Sequence, residues 1–234
     1  MNFSNLQIKN ILITASLLTL FAVSGAALVG VTFIQTEDDI KHNEELTLLR
    51  KLNNIIPAES YDNDLLADTI IIKPSTLLST KEESLAYRAR KNSQNVAVVF
   101  SSIAANGYNG SIHLLVGVNA NGNLSGVRVV NHRETPGLGD AVDISHSNWI
   151  LGFNDKSLSN PDDQGWQVKR DGGIFDQFTG ATITPRAVVN AVHDALLYFE
   201  KNQNMLFSLN TEKTGLDTKT NTKANSEAES SKQP

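Results

Sequence analysis

The feature that most constrains this chain is a charge-free run from Ile11 to Ile34, ILITASLLTLFAVSGAALVGVTFI. As a helix rising about 1.5 Å per residue, it covers a hydrocarbon core of roughly 30 Å with a little left for tilt. A cleaved signal is the other reading, and the small residues around Ala22–Ala26 would suit a peptidase. A signal's apolar stretch, however, is only about 7–15 residues long, and here the apolar run continues beyond those small residues. The expectation is a retained single-span helix over 11–34. Lys9 and the N-terminal amine precede it, and Glu37, Asp38 and Asp39 follow it. That asymmetry places residues 1–10 in the cytoplasm and the body outside, which for a bacterial inner-membrane protein is the periplasm.

The full chain of 234 residues leaves enough after such an anchor for one globular body. Its net charge of −5 disfavours a nucleic-acid partner. It has no cysteine, which excludes cysteine-held iron–sulfur clusters, covalent c-type haem and thiol catalysis. The five histidines, 42, 113, 132, 146 and 193, are scattered without ligand spacing, so no metal site is expected. Asp162 and Asp163 read as an acidic surface loop. Neither a Gly-x-Ser-x-Gly elbow, a phosphate-loop Gly-Lys-Ser/Thr, a GxGxxG nor a His-Glu-x-x-His occurs.

Beyond the anchor, residues 35–94 read as a membrane-proximal region of helix and strand. EDDIKHNEELTLLRKLNNII has acids first and leucines at helical spacing, and Pro57 stops it. Strand-like runs follow at Thr69–Pro74 and Asn95–Ala104. GSIHLLVGV and LSGVRVVNH then flank Asn121-Gly122, a tight-turn signal that predicts a hairpin. Val188, Val192, Leu196 and Phe199 predict an amphipathic helix from Pro185 to about Asn202. The polar segment 210–234 reads as an unstructured tail. Strands followed by a packing helix give an α+β body, with an antiparallel sheet and packing helices in a domain over 95–205.

Two segments remain that a structural role does not exhaust. In HRETPGLGD, His132–Asp140, Gly137 and Gly139 bracket Leu138 after Pro136, so the backbone can turn sharply and lie against a flat ligand. A plain glycine turn accounts for the same pattern. Trp149, shortly downstream, reads as core or as a wall of the same site. The second segment is DGGIFDQFTGATITP, Asp171–Pro185, at the mouth of the last helix. Thr184 before Pro185 reads as a hydroxyl cap with proline at the first helical position. One cap suffices, so Thr179, Gly180, Ala181 and Thr182 are left over. A helix N-terminus offers unpaired N–H groups and a positive dipole end, which favour a phosphate.

The pattern DQFTGAT, Asp176–Thr182, resembles the flavinylation motif Asp-x-x-Ser/Thr-Gly-Ala-Thr of FMN-binding domains. HRETPGLGD resembles the second signature of that family. From the anchor to about residue 205 the chain is similar to the G-type subunits (RnfG, RsxG) of Rnf ion-translocating electron transport complexes. Where Pro185 stands, the family pattern has serine. The resemblance implies one FMN per chain, held covalently through a phosphoester on Thr182, which would anchor the flavin and not act as a catalyst. Asp176, Thr179, Gly180 and Ala181 would be recognition elements for a separate flavin transferase that takes FMN from FAD with a divalent metal. Glu134, Thr135, Pro136, Gly137, Leu138 and Gly139 would form part of the ring or ribityl pocket, and Thr184 would donate to the phosphate. The partners implied are the other Rnf subunits, the D-type one (RnfD) above all. The function implied is electron relay between ferredoxin and NAD, or toward a redox regulator, coupled to sodium or proton movement. Three alternatives stand beside it: the C-type subunit of the sodium-translocating NADH:quinone reductase, a flavin-dependent reductase, and a non-redox anchored assembly module.

Overall fold

The computed structural model describes residues 5–208. The polar tail expected over 210–234, and part of the N-terminal segment 1–10, lie outside the described residues. Backbone contacts divide the chain into two units, Met1–Arg50 and Lys51–Pro234.

The first unit is built on helix α1, Asn5–Asn53, whose last turn belongs to the second. Its segment Ile8–Glu37, of 30 residues, is long and apolar enough to cross a membrane. The large apolar side chains from Ile8 to Ile34 are exposed all round, with no polar face among them. A helix apolar on every side is stable only when buried or in lipid. At about 1.5–3 kcal/mol per large apolar side chain, leaving them in water would forgo on the order of tens of kcal/mol. The threonine hydroxyls within the run are satisfied internally, which suits a lipid environment. Thr14, Thr19 and Thr32 each donate to the carbonyl four residues back at 2.9 Å.

Sequence reading expected the anchor and the acidic segment as separate helices, whereas α1 runs through both. Between Ile34 and Lys41 stands neither proline nor glycine, so nothing breaks the ladder. The ion pair Glu37–Lys41, at 2.7 Å, adds an i,i+4 staple at the junction.

The second unit carries a five-stranded antiparallel meander, its strands adjacent in chain order. The strands are β1 Thr69–Ile72, β2 Ser84–Lys91, β3 Gln94–Gly107, β4 Gly110–Asn119 and β5 Leu124–Asn131. The β4–β5 hairpin turns at Asn121-Gly122 as the sequence predicts, and Gly122 has φ +89°. Registers such as Val98↔Val118, Phe100↔Val116 and Val116↔Val127 put one residue in two on the core face. Helix α2, Ile183–Leu206, packs its Val188, Val192, Leu196 and Phe199 onto that face. On the other face Ile55 sits against Gly117 and Gly126, where a Cβ on Gly117 would lie 2.2 Å from Ile55 Cγ2.

β2 is an element that the sequence reading did not assign. Its sequence, SLAYRARK, places Arg88 and Arg90 in positions that alternation would fill with apolar residues. Both are buried, and Asp68 is their shared counter-ion, 2.5 Å from Arg88 and 2.7 Å from Arg90.

Between β5 and α2 the chain makes short 3-10 turns at Gly139–Val142, Trp149–Phe153 and Lys169–Asp171. An aromatic cluster holds this excursion in place. Phe153 and Phe175 stack with centroids 4.6 Å apart, and Trp166 packs against both at 6.2 and 5.4 Å.

Candidate functional site

The site is built where the excursion leaves β5 and where it returns to α2. Leaving β5, Thr135-Pro136-Gly137-Leu138 is a tight turn closed by the Leu138 N–H on the Thr135 carbonyl at 3.1 Å. Proline second and a left-handed glycine third, with Gly137 at φ +76°, is the pattern such a turn demands. Thr135, Pro136, Gly137 and Leu138 are exposed, while Glu134 and Gly139 on either side are buried.

The return uses a second turn of similar build. Phe178-Thr179-Gly180-Ala181 is closed by the Ala181 N–H on the Phe178 carbonyl at 3.1 Å. Gly180 has φ +80°, a conformation that L side chains rarely adopt. Space is not the reason for glycine there, because an added Cβ would meet only Leu138 Cδ2 at 3.7 Å, an ordinary contact. The same distance shows that the two turns, more than forty positions apart in sequence, lie against each other.

Thr182 is the residue before α2, half-buried, with φ −73° and ψ −26°. A capping threonine adopts extended geometry and aims its oxygen at the first-turn N–H groups. Thr182 is already helical and makes no side-chain cap bond. The first-turn amides of Ile183 and Thr184 have no partner within the helix, and Pro185 has no amide to satisfy. A hydroxyl and open N–H groups at the positive end of a 24-residue helix are a donor set suited to a phosphate ester. By that test the residues present fit the FMN phosphate that the motif implies.

Thr184 corrects the sequence reading. The sequence places it as the cap with Pro185 at the first helical position, but α2 begins two residues earlier, at Ile183. Thr184 is therefore inside the helix and fully buried, and its hydroxyl donates to Glu134 Oε2 at 2.6 Å. Glu134, only 5% exposed, also accepts the Asn109 N–H on Oε1 at 3.1 Å. Gly139 is packed against this pair, since a Cβ there would stand 2.6 Å from Glu134 Oε2 and 3.0 Å from Thr184 Oγ1.

Around the second turn, charge and aromatic contacts fix the backbone. Asp176 is exposed, pairs with Lys169 at 2.6 Å and accepts the Trp149 indole N–H on its carbonyl at 2.7 Å. Trp149 is half-buried and meets Phe178 edge-on at 5.2 Å, so it is both core and the wall behind the motif. Arg186 grips Asp171 with two hydrogen bonds of 2.7 and 2.9 Å. That grip holds the Asp171 carboxyl below the usual carboxylate range and raises the Arg186 guanidinium. Thr179 and Gly180 are exposed at the tip, and Ala181 is half-buried.

Sequence reasoning did not single out Asn109, Lys169, Asp171 or Arg186. Lys169 and Asp171 were legible only as a charge cluster beside the motif, and Arg186 as a helix residue four positions after Thr182. Asn109 belongs to the β3–β4 turn, and nothing local connects it to Glu134.

Comparison with known proteins identifies the family. Residues 107–197 match the FMN-binding domain family, and residues 1–55 match the RnfG N-terminal region. The chain is 46% identical over 200 residues to the G-type subunit of the ion-translocating oxidoreductase complex of Shewanella loihica, covering 86% of this chain and 94% of that one. It is 47% identical over 200 residues to its counterpart in Pseudomonas aeruginosa, with the same coverage of each. Against the counterpart in Pseudoalteromonas atlantica it is 43% identical over 196 residues, covering 84% and 91%. This chain belongs to the RnfG family. Of the two kinds of complex whose subunits share the motifs, the Rnf type is therefore its own, and both signature turns lie within the matched FMN-binding domain. The expected α+β body, with an antiparallel sheet behind an apolar N-terminal helix, is the fold found.

Proposed function

We propose that the chain is the membrane-anchored flavin carrier of an ion-translocating oxidoreductase complex, holding one FMN through a phosphoester on Thr182. The observation that carries this reading is the open start of α2: a half-buried threonine hydroxyl not used as a cap, beside first-turn amides unclaimed by the helix. The relatives named as subunits of an ion-translocating oxidoreductase complex support the setting.

Attachment would join Thr182 Oγ to the FMN-side phosphorus of FAD. The pyrophosphate bond breaks, AMP leaves, and the hydroxyl proton passes to a base. Threonine is a weak nucleophile at its ordinary pKa, and activation needs an adjacent base. Thr182 has no such neighbour in sequence, so the base and the divalent metal belong to a separate flavin transferase. The exposed Asp176, Thr179 and Gly180 are presented for that enzyme to grip. Once attached, FMN supplies one- and two-electron transfer chemistry. The chain's residues hold its phosphate end at α2, with Thr135–Leu138 and Trp149 as nearby surfaces, and leave the ring accessible to redox partners. The relay would pass electrons within the complex, with RnfD as neighbour, while the span holds the body at the outer face of the inner membrane.

Intact-mass analysis of the chain co-produced with a flavin transferase tests this reading. The wild type should gain one FMN less one water, and Thr182→Ala should gain nothing. An unmodified wild type, with the transferase active on a control protein, would leave the threonines a purely structural role.

A further inference from the structure

Glu134 has a role that the flavin-pocket reading does not describe. Its carboxylate is buried, turned into the protein and engaged on both oxygens, with Asn109 N–H on Oε1 and Thr184 hydroxyl on Oε2. Glycines wall both sides of it. A Cβ on Gly107 would stand 2.8 Å from Oε1, and one on Gly139 would stand 2.6 Å from Oε2. Among the described residues no cation pairs with it. A buried carboxylate without a cation is costly, and as filling it is poorer than an apolar side chain. What it supplies is two fixed acceptors that tie three chain segments together: the β3–β4 turn, the first signature turn and the first turn of α2.

We propose that Glu134 is a positioning residue, acting through Thr184 to set the rotation of the first turn of α2 and so to aim the Thr182 hydroxyl outward. At 3.6 residues per turn, positions two apart point to nearly opposite sides of a helix. Fixing Thr184 inward on Glu134 therefore turns Thr182 toward solvent. The burial agrees, with Thr184 fully buried and Thr182 half-buried. Glu134 thus does not touch the flavin. It holds the attachment hydroxyl in the one orientation from which a transferase can use it. This proposal rests on attachment at Thr182, and the experiment separates the two.

The full-length chain in detergent is incubated with a flavin transferase, FAD and magnesium, and incorporation is followed by in-gel flavin fluorescence at varied chain concentration. Thr184→Val keeps the shape of the side chain and removes its donor. Its kcat for flavinylation should fall on the order of ten- to a hundredfold, the scale that a misplacement of about 1 Å produces, while KM stays near wild type because the recognition turn is intact. Thr184→Ser restores the donor and should recover most of the rate. If Thr184→Val does not fold, Glu134→Leu replaces it, since its side chain offers an acceptor to neither Asn109 nor Thr184, and the same fall in kcat at steady KM is expected. Wild-type kinetics in whichever variant is assayed would overturn the proposal. So would a loss confined to KM, or a serine variant as slow as the valine one. A wild-type chain that takes up no flavin would instead overturn attachment itself.

Discussion

The two ends of α2 are finished in opposite ways. At the C-terminal end two buried arginines close the helix. Arg88 donates to the Ser208 carbonyl and to Thr69 O at 3.2 Å, and Arg90 reaches the Phe207 carbonyl at 3.3 Å, with Asp68 balancing both charges. Cations at a helix C-terminus satisfy the last carbonyls and complement the dipole. At the N-terminal end the corresponding device is missing: Thr182 makes no cap, and the interior bond that exists, Thr184 to Glu134, holds the first turn from inside. One helix therefore has a sealed end that serves stability and an open end where ligand chemistry is free to act.

Breaking the sealed end should give the largest effect on stability. Arg88→Met removes a buried cation from the Asp68 pair and frees two carbonyls, and should cost about 3 kcal/mol or more in chemical denaturation. Flavin loading per folded chain should be unchanged, because the sealed end lies about 36 Å along the helix from Thr182. Loss of loading in folded Arg88→Met protein would mean that the two ends are not independent.

Gly139→Ala attacks the open end from inside. Its Cβ would collide with Glu134 Oε2 and crowd Thr184 Oγ1, so an overpacking penalty of about 1–3 kcal/mol is expected. Here loading should suffer together with stability, in contrast to Arg88→Met.

The smallest effect belongs to the Asp171–Arg186 clamp, which lies on the surface. Arg186 lowers the Asp171 carboxyl, chiefly through its hydrogen bonds. A lowered carboxyl pKa stabilises the fold above the unfolded value of about 3.9, and the contribution disappears as pH falls through the folded value. The stability gap between wild type and Asp171→Asn should therefore be level above about pH 5 and shrink below about pH 4. Denaturation curves across that range measure it, and a gap that widened with acid would contradict the sign.

Much of the sheet was legible because its strands obey simple periodicity. The β4–β5 hairpin follows from alternation around Asn121-Gly122, and α2 from its valine and leucine spacing. β2 was not legible, because a buried Arg88 looks like a solvent residue until Asp68 and the end of α2 are brought to it. The single helix α1 was read as two because composition changes at Glu37 although backbone propensity does not. At the site, the motif turns could be read from their glycines and proline. The burial of Thr184 could not, since a threonine before proline fits a cap equally well and its real partner, Glu134, lies 50 residues away.

The most direct test of the central claim is peptide mapping of the chain purified from membranes that contain the whole complex. Trypsin cleaving after Arg170 and Arg186 yields one peptide, Asp171–Arg186, that carries Thr179, Thr182 and Thr184 together. The account predicts a single FMN phosphoester in that peptide, located by fragmentation on Thr182. Flavin on Thr179 or Thr184, or a peptide bearing none, would contradict it.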